Sequence, residues 1–422
     1  MATWKKGALH THSSWSDGRA IPEVVLTNYK KLGYDFVSIT DHNLFQSDPN
    51  VWQWISYEGS MFGMAFTADA YEWTKEMLGE NAEQMLDVKT IGSRTYIRMK
   101  DYETFRAQFE EPGKFLVMPG NEITIGGFKN SVEGWYVTHL NSLNLKAEYP
   151  ELKQIIPQDA PQSEVYRTVY ESYKEKAGDA LEDTILMANH PFWIFWDCDP
   201  STLLDVPEIK FFEVCNSGAR EDAPRDPMLT IEKFWDFILA HRLDRGQGMI
   251  YATATDDTHY HHVDKARLPG FVDTGFVVVN CPGEFTYKSV VAALKRGDFY
   301  ASCGVYLDDV VFDKETKTLN VKVKAEEGVN YRVEFITTKR DFDRTIKKQV
   351  YKFEKPFFNR EMTVVPENIG VVVKTVEGCE ASYTMADDDM YVRAVIYSDK
   401  KGRIDNPFYY PEFECAWTQP VC

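Results

Sequence analysis

From the first residue to about residue 300, short apolar runs alternate with amphipathic stretches. The runs fall at 7–12, 35–42, 115–125, 135–143, 183–191, 209–217 and 249–259. Between them, segments such as 22–32, 166–176 and 231–242 carry apolar residues at helical spacing. Strand and helix in alternation predict βαβ units and a parallel sheet. Seven strands point to a closed (β/α)7 barrel more than to an open sheet, and such barrels carry their catalytic groups where the strands end.

Two segments break this grammar. Residues 44–100 are rich in aromatic and charged side chains (Trp52, Trp54, Tyr57, Tyr71, Trp73) and follow directly on one strand end. An insertion of that length inside a compact unit reads as a lid or substrate wall. Beyond residue 304, short alternating strands at 305–312, 319–323, 331–336, 370–376 and 391–397 lead to a last one at 413–417, with almost no helical period. The chain therefore divides into an α/β unit, 1–304, and a C-terminal all-β sandwich-like unit, 305–422.

Composition narrows the partners. Across 422 residues, 47 Lys and Arg face 65 Asp and Glu, a formal charge of −18. An acidic excess without basic runs argues against a nucleic-acid backbone as partner, while a small phosphorylated ligand stays open because metal ions invert charge locally. No run of about 18 apolar residues predicts a membrane span. Met-Ala-Thr-Trp-Lys-Lys at the start carries no signal-peptide core, so the expectation is a cytoplasmic protein, an exported one with a trimmed signal being left open. Seven cysteines without a Cys-x-x-Cys pair fit neither a zinc knuckle nor a dense disulfide framework.

The chemistry is concentrated at the ends of the apolar runs. His10 and His12, two apart, share one face of a strand. The same grammar recurs in Thr40-Asp41-His42, Gly120-Asn121-Glu122, Thr138-His139-Leu140, Asn189-His190-Pro191 and Asp257-Thr258-His259. Six of the nine histidines fall in these motifs. Asp17, Glu122 and Asp257 add carboxylates, which bridge cations that neutral imidazoles alone would not hold together. Nine N/O ligands are too many for one ion and suit two or three. A water or hydroxide bridging two such ions is acidified toward neutrality and becomes the nucleophile, so no Ser or Cys nucleophile is required.

Taken together, His10-x-His12, Asp17, Thr40-Asp41-His42, Glu122, His139, Asn189-His190-Pro191 and Asp257-x-His259 resemble the PHP (polymerase and histidinol phosphatase) superfamily over residues 7 to 300. The resemblance implies a distorted seven-stranded (β/α) barrel with two or three divalent ions, Mn, Zn or Fe. Position by position, it implies that His10, His12, Glu122 and Asp257 hold one ion. Glu122 would bridge to a second ion on His139 and His190, and Asp17, His42 and His259 would form a third site. Asp17 stands where histidinol phosphatases often have His. The Ala-Trp-Thr-Gln-Pro run near the C-terminus is similar to PHP metallohydrolases of the carbaryl-hydrolase kind, which include carboxyl- and carbamate-ester hydrolases.

The implied activity is hydrolysis of small phosphate mono- or diesters. The alternatives are a carboxyl- or carbamate-ester metallohydrolase, or a metal-stabilised scaffold without activity. Around the ligands, Glu122 and Asp257 are the catalytic candidates, with Asp256 the candidate proton donor to the leaving group. Asp41 and Asn189, each beside a ligand, are candidates for orienting imidazoles. Asn216, and less directly Glu213, should face the pocket from the sixth strand. Trp193 is a stacking candidate and Arg19 a phosphate contact. His241 reads as a surface residue, and His261 and His262 as loop residues.

Overall fold

A computed structural model of the chain describes residues 3–55, 66–193, 195, 197–218, 229–261, 271–404 and 411–422. A mixed sheet of thirteen strands organises it. In chain order the strands are Trp4–Ala8 (β1), Phe36–Ile39 (β2), Leu116–Lys129 (β3), Trp135–Leu143 (β4), Ile185–Ala188 (β5), Phe211–Asn216 (β6) and Tyr251–Thr255 (β7). They continue with Phe276–Asn280 (β8), Phe299–Ser302 (β9), Tyr331–Thr337 (β10), Val371–Glu377 (β11), Arg393–Lys401 (β12) and Phe413–Thr418 (β13). Their order across the sheet is β7-β6-β5-β4-β3-β2-β1-β8-β9-β13-β12-β10-β11. The seven apolar runs thus lie side by side in sequential order.

The ladder is parallel for β1–β2, β2–β3, β5–β6 and β6–β7, but antiparallel for β3–β4 and β4–β5. This departs from the expected all-parallel sheet for a simple reason. Only residues 130–134 separate β3 from β4, and a parallel crossover needs a dozen or more residues. Strand β8, which the apolar-run pattern did not separate, pairs antiparallel with β1. Among the described residues, β7 lies at one edge of the strand order. A single isolated parallel bridge, Thr11 with Thr258, ties its end to the chain leaving β1.

The helices cover this sheet for reasons visible locally. Pro22–Lys31 (α1) starts with Pro22 in its first turn beside Glu23 and ends with Lys30 and Lys31, charges that suit the helix dipole. It buries Val24, Val25, Asn28 and Tyr29. Ile231–Asp244 (α2) is capped by Thr230, whose side chain accepts from Lys233 N, and buries nine consecutive-turn residues from Phe234 to Arg242. His241 is therefore buried, not on the surface, against Phe237 and Phe342 at 4.4 and 5.2 Å between centroids. Arg242 beside it is buried too, donating from Nε to Leu203 O (3.1 Å) and from Nη2 to Ile209 O (2.9 Å).

The C-terminal strands grow out of the same sheet: β9 pairs with β13, β13 with β12 and β12 with β10. A separate three-stranded sheet of Leu307–Asp313, Thr318–Val323 and Glu380–Thr384 faces them. Leu319 and Val321 of that sheet share one hydrophobic cluster with Val333, Phe335 and Ile396. Between α2 and β12, Arg393 donates from Nε and Nη2 to the two oxygens of Asp236 (2.8 and 2.6 Å), and Tyr391 OH donates to Asp236 Oδ1 (2.7 Å).

In the 44–100 insertion, Trp52–Trp54, Val88–Ile91 and Arg94–Arg98 form a small antiparallel sheet, with the helix Ala68–Leu78 between its first and second strands in the chain. It packs on the loop after β1. Trp15 Nε1 donates to Lys100 O (3.0 Å), and Gln53 Nε2 donates to Ser14 O. Tyr57 lies outside the described residues.

Candidate metal centre

The centre is assembled from strand register. In the β3–β4 hairpin, Glu122 pairs with Asn141 and Thr124 with His139. Residues two apart in a strand share a face, so Glu122, Thr124, His139 and Asn141 all project to one side. An isolated bridge between His42 and Glu122 brings in the chain beyond β2. His10 and His12 follow β1. His190 follows β5, and Asp257 and His259 follow β7.

Three groups of donor atoms result, each with its ligand atoms within 4.8 Å of one another. They are His10, His12 and Asp257; Glu122, His139 and His190; and His12, Asp17, His42 and His259. All nine side chains that the sequence marks as donors are gathered here. Glu122 joins the groups. Its Oε1 lies 3.4 Å from His10 Nε2 and 3.5 Å from His190 Nε2, while Oε2 lies 3.2 Å from His12 Nε2 and 3.0 Å from His42 Nδ1. Asp257 Oδ1 lies 3.2 and 3.0 Å from Nε2 of His10 and His12. Asp17 Oδ2 lies 3.4 and 3.3 Å from Nε2 of His42 and His259.

A layer behind the donors fixes the imidazoles. His10 Nδ1 bonds Glu213 Oε1 (2.8 Å), which also accepts from Thr255 Oγ1 (2.7 Å). Glu213 Oε2 accepts from His190 N (2.8 Å) and Asn216 Nδ2 (2.7 Å). One oxygen of Asp197, Oδ2, stands 2.7 Å from Nδ1 of both His139 and His190. With Nδ1 of His10 and His139 hydrogen-bonded to a carboxylate, Nε2 is the atom left for a cation on each. Asn189 Nδ2 donates to Glu122 Oε1 (2.8 Å). Asp41 does not touch an imidazole; it accepts from Ser13 N, Ser16 Oγ and Gln46 Nε2 (2.8, 2.7 and 2.7 Å) and so shapes the loop that carries Asp17. Sequence reasoning missed Asp197 altogether, because it sits in a loop seven residues past His190 with no pattern around it.

Backbone strain sits at the same place. Asp257 has φ of 46°, the left-handed region that costs a non-glycine residue roughly 1–2 kcal/mol. Gly218 passes so close to Asp257 that a Cβ there would collide with the Asp257 carbonyl.

The remaining sequence candidates divide. Asn216 reaches the centre, donating to Asp257 Oδ2 (3.3 Å). Trp193 lies edge-on to the His139 ring, 5.0 Å between centroids. Arg19 places its guanidinium 4.6 Å over the Tyr260 ring. The fold does not bring Asp256 into any donor group. Both its oxygens accept from Tyr29 OH (2.9 Å each), and Oδ2 also accepts from Asp273 N (2.9 Å). Burial pushes its carboxyl up to about 7. His262 lies outside the described residues, and His261 is buried beside Tyr29.

The electrostatics call for cations. Burial alone works against a charged imidazole, yet at His12 it is overcome by the Asp257 and Glu122 carboxylates beside it, and the ring is pushed up to about 10. Burial likewise opposes charge on His10 and His190, and is outweighed by Asp257, Glu122 and Glu213 at the first and by Asp197 and Glu122 at the second, so both are raised. Burial also disfavours the charged forms of Glu122 and Asp257, but the surrounding imidazoles hold both carboxyls well below the usual range. Asp257 Oδ1, buried, accepts no hydrogen bond. Buried carboxylates with aimed imidazoles, an unsatisfied acceptor and no thiolate among them fit divalent first-row cations.

No family model and no curated protein matches the chain. Solved structures do. A two-domain protein from Bacteroides vulgatus, containing a predicted PHP-like metal-dependent phosphoesterase, aligns over 100% of this chain and 96% of its own, with 14% identity and a TM-score of 0.37. A presumed metal-dependent phosphoesterase from Bifidobacterium adolescentis aligns over 70% of this chain and 98% of its own, with 12% identity and a TM-score of 0.29. At such distances the function has to come from the chain's own donor set.

Proposed function

We propose that the chain is a metal-dependent hydrolase of small phosphate mono- or diesters, of the PHP kind, holding two or three divalent cations of Mn, Zn or Fe. The observation that carries this is Glu122, a buried carboxylate whose two oxygens lie within 3.5 Å of four imidazoles from three different chain segments. His10, His12 and Asp257 would hold one cation, His139 and His190 a second sharing Glu122, and Asp17, His42 and His259 a third. When bound, such cations supply an activated water at neutral pH and neutralise charge on the ester oxygens.

The chain's own residues do the rest. Glu213 and Asp197 keep the Nδ1 protons of His10 and His139 pointed away from the centre, and Asp197 also lies against Nδ1 of His190. Asn189 and Asn216 donate to Glu122 and Asp257, fixing the carboxylates in one orientation. Arg19, on the loop that carries Asp17, is the cationic side chain we assign to the phosphate. We assign no proton-donor role to Asp256, since both its oxygens are engaged by Tyr29. Residues 1–304 would form the catalytic unit, with 305–422 the β unit attached to it.

The phosphate ester is preferred because its anionic oxygens give a multinuclear site more to clamp than one neutral carbonyl does. The test is a side-by-side assay of a Mn²⁺- or Zn²⁺-loaded sample on p-nitrophenyl phosphate, bis(p-nitrophenyl) phosphate, p-nitrophenyl acetate and an aryl carbamate. We expect phosphate-ester turnover that chelator abolishes and inorganic phosphate inhibits. Faster turnover of the acetate or carbamate without competition by phosphate would hand the site to the carboxyl- or carbamate-ester reading.

A further inference from the structure

One flank of the centre is apolar where ligation does not require it. The Trp193 ring lies 5.0 and 5.7 Å from those of His139 and His190. Phe195 follows at 4.7 Å from Trp193, and Phe357 at 5.5 Å from Phe195. All three are half-buried. Ring surface therefore runs outward from two ligand imidazoles, crossing from the loop after β5 to the 3-10 turn Pro356–Phe358 of the C-terminal region.

That turn is held firmly against the hairpin β3–β4. Arg360 Nε donates to Phe358 O (2.8 Å), and Asn130 Nδ2 donates to Asn359 O (2.6 Å). Gly134 leaves no room for a side chain, since a Cβ there would collide with the Asn359 carbonyl. Five residues past that turn, Thr363 adds bonds from N and Oγ1 to Asp199 (2.9 and 2.6 Å). A surface pinned this way is pre-formed, and half-exposed rings gain free energy when another apolar face covers them.

We propose that Trp193, Phe195 and Phe357 are the wall against which the planar apolar group of the substrate packs, so that the substrate is an aryl ester in preference to a small alkyl or polyol ester. This rests on the hydrolase reading of the same site. Aromatic rings meet one another edge-to-face or offset at 4.5–7 Å, and small-molecule sites combine such apolar walls with a few convergent polar groups. The C-terminal region then has a stated task, which is to supply Phe357.

The experiment is calorimetric titration of the full chain, Mn²⁺-loaded, with phenylphosphonate, methylphosphonate, benzoate and acetate. Phenylphosphonate should bind about tenfold more tightly than methylphosphonate, the upper part of what a ring contact supplies. Phe195→Ala and Phe357→Ala should each reduce that ratio about threefold or more while leaving methylphosphonate unchanged. Gly134→Ala, which touches no ligand, should reduce it as well by lifting the turn. If only the carboxylates bind and benzoate is preferred over acetate, the wall stands and the phosphate-ester reading falls. If neither pair shows an aryl preference, or if the variants weaken both members of a pair equally, the wall is overturned.

Discussion

Asp236, Arg393 and Tyr391 form one buried polar cluster, and the carboxylates around the six histidines form another, buried except at Asp17. Their charge is settled in opposite ways. At the first, one carboxylate meets one guanidinium through two hydrogen bonds, and a tyrosine hydroxyl satisfies the same carboxylate. At the second, the ionisable partners of Asp17, Glu122, Asp197, Glu213 and Asp257 are imidazoles; among the described residues none of the five pairs with Lys or Arg. An internally neutral cluster is an element of architecture. One that must import positive charge, as protons or as metal ions, is built for a ligand.

The largest expected effect comes from removing the bridge. Glu122→Gln keeps the shape but takes away the negative charge that all donor groups share. We expect bound metal, by elemental analysis, and phosphate-ester turnover to fall together, turnover by at least about a hundredfold, since even partners behind the ligands are worth ten- to a hundredfold. Unfolding by urea should change far less. Full metal content with near-normal turnover would remove Glu122 from its place at the centre.

The architectural cluster should show the reverse. Asp236→Ala leaves the Arg393 guanidinium buried without its carboxylate, a loss of roughly 3–5 kcal/mol. Metal affinity of the folded fraction should stay as it was. Replacing both partners, Asp236→Leu with Arg393→Met, should recover much of the stability, because apolar pairs of similar volume replace buried ion pairs at little cost. If the single variant loses metal without losing stability, the separation of the two clusters is wrong.

The metal-centre side of this contrast is legible in the sequence; the Asp236–Arg393 pair is not. Short apolar runs of strand length mark β1 to β7, and donors recur at their ends because a strand end is where a side chain can leave the sheet and still be held rigidly. What the sequence hid depends on distant partners. Strand β9 pairs with β13 across more than a hundred residues, which no local period records, and so the sheet of the β unit reads as separate when it is continuous. The β3–β4 hairpin was visible only as two strands, and its antiparallel sense follows from the shortness of 130–134. Asp197 carries no motif; its role comes from which imidazoles the fold delivers to it, while Glu213 reads only as a pocket-facing candidate and its bond to His10 is the fold's doing. His241 was misjudged because Arg242 beside it suggested solvent, whereas that guanidinium is spent on the carbonyls of Leu203 and Ile209.

Asp197 sharpens the comparison at intermediate strength. One of its oxygens, Oδ2, faces two ligand imidazoles at 2.7 Å, so it acts as a positioning residue. Asp197→Asn can keep an acceptor oxygen in place but removes the negative charge that holds the two imidazoles. Metal affinity should fall ten- to a hundredfold, with turnover per bound metal less affected and stability within about 1–2 kcal/mol of the parent. Chelator competition measures the first and a chevron-free equilibrium melt the last. Unaltered affinity would reduce Asp197 to a packing residue.

The smallest effect tests a third kind of buried polar group, one kept neutral. Burial lowers the His241 imidazole to about 4, with Arg245 and Arg344 adding to the shift and Asp244 and Asp343 opposing it. The unfolded chain therefore takes the proton first as pH falls, with a value near the ordinary 6.5. Stability contributed by the neutral ring is present above about 6.5 and is lost as pH falls toward 4. Because the charges around it face solvent, we expect about 1 kcal/mol between pH 7 and pH 5, less than the full shift would give. His241→Leu keeps the contacts with Phe237 and Phe342 and removes the titration. Its urea-unfolding free energy should decline less than the parent's over that interval, by this difference. Parallel curves for the two proteins would mean that His241 takes up its proton in the folded state as readily as in the unfolded one, and that the buried charge economy of the chain is confined to the metal centre and the Asp236–Arg393 pair.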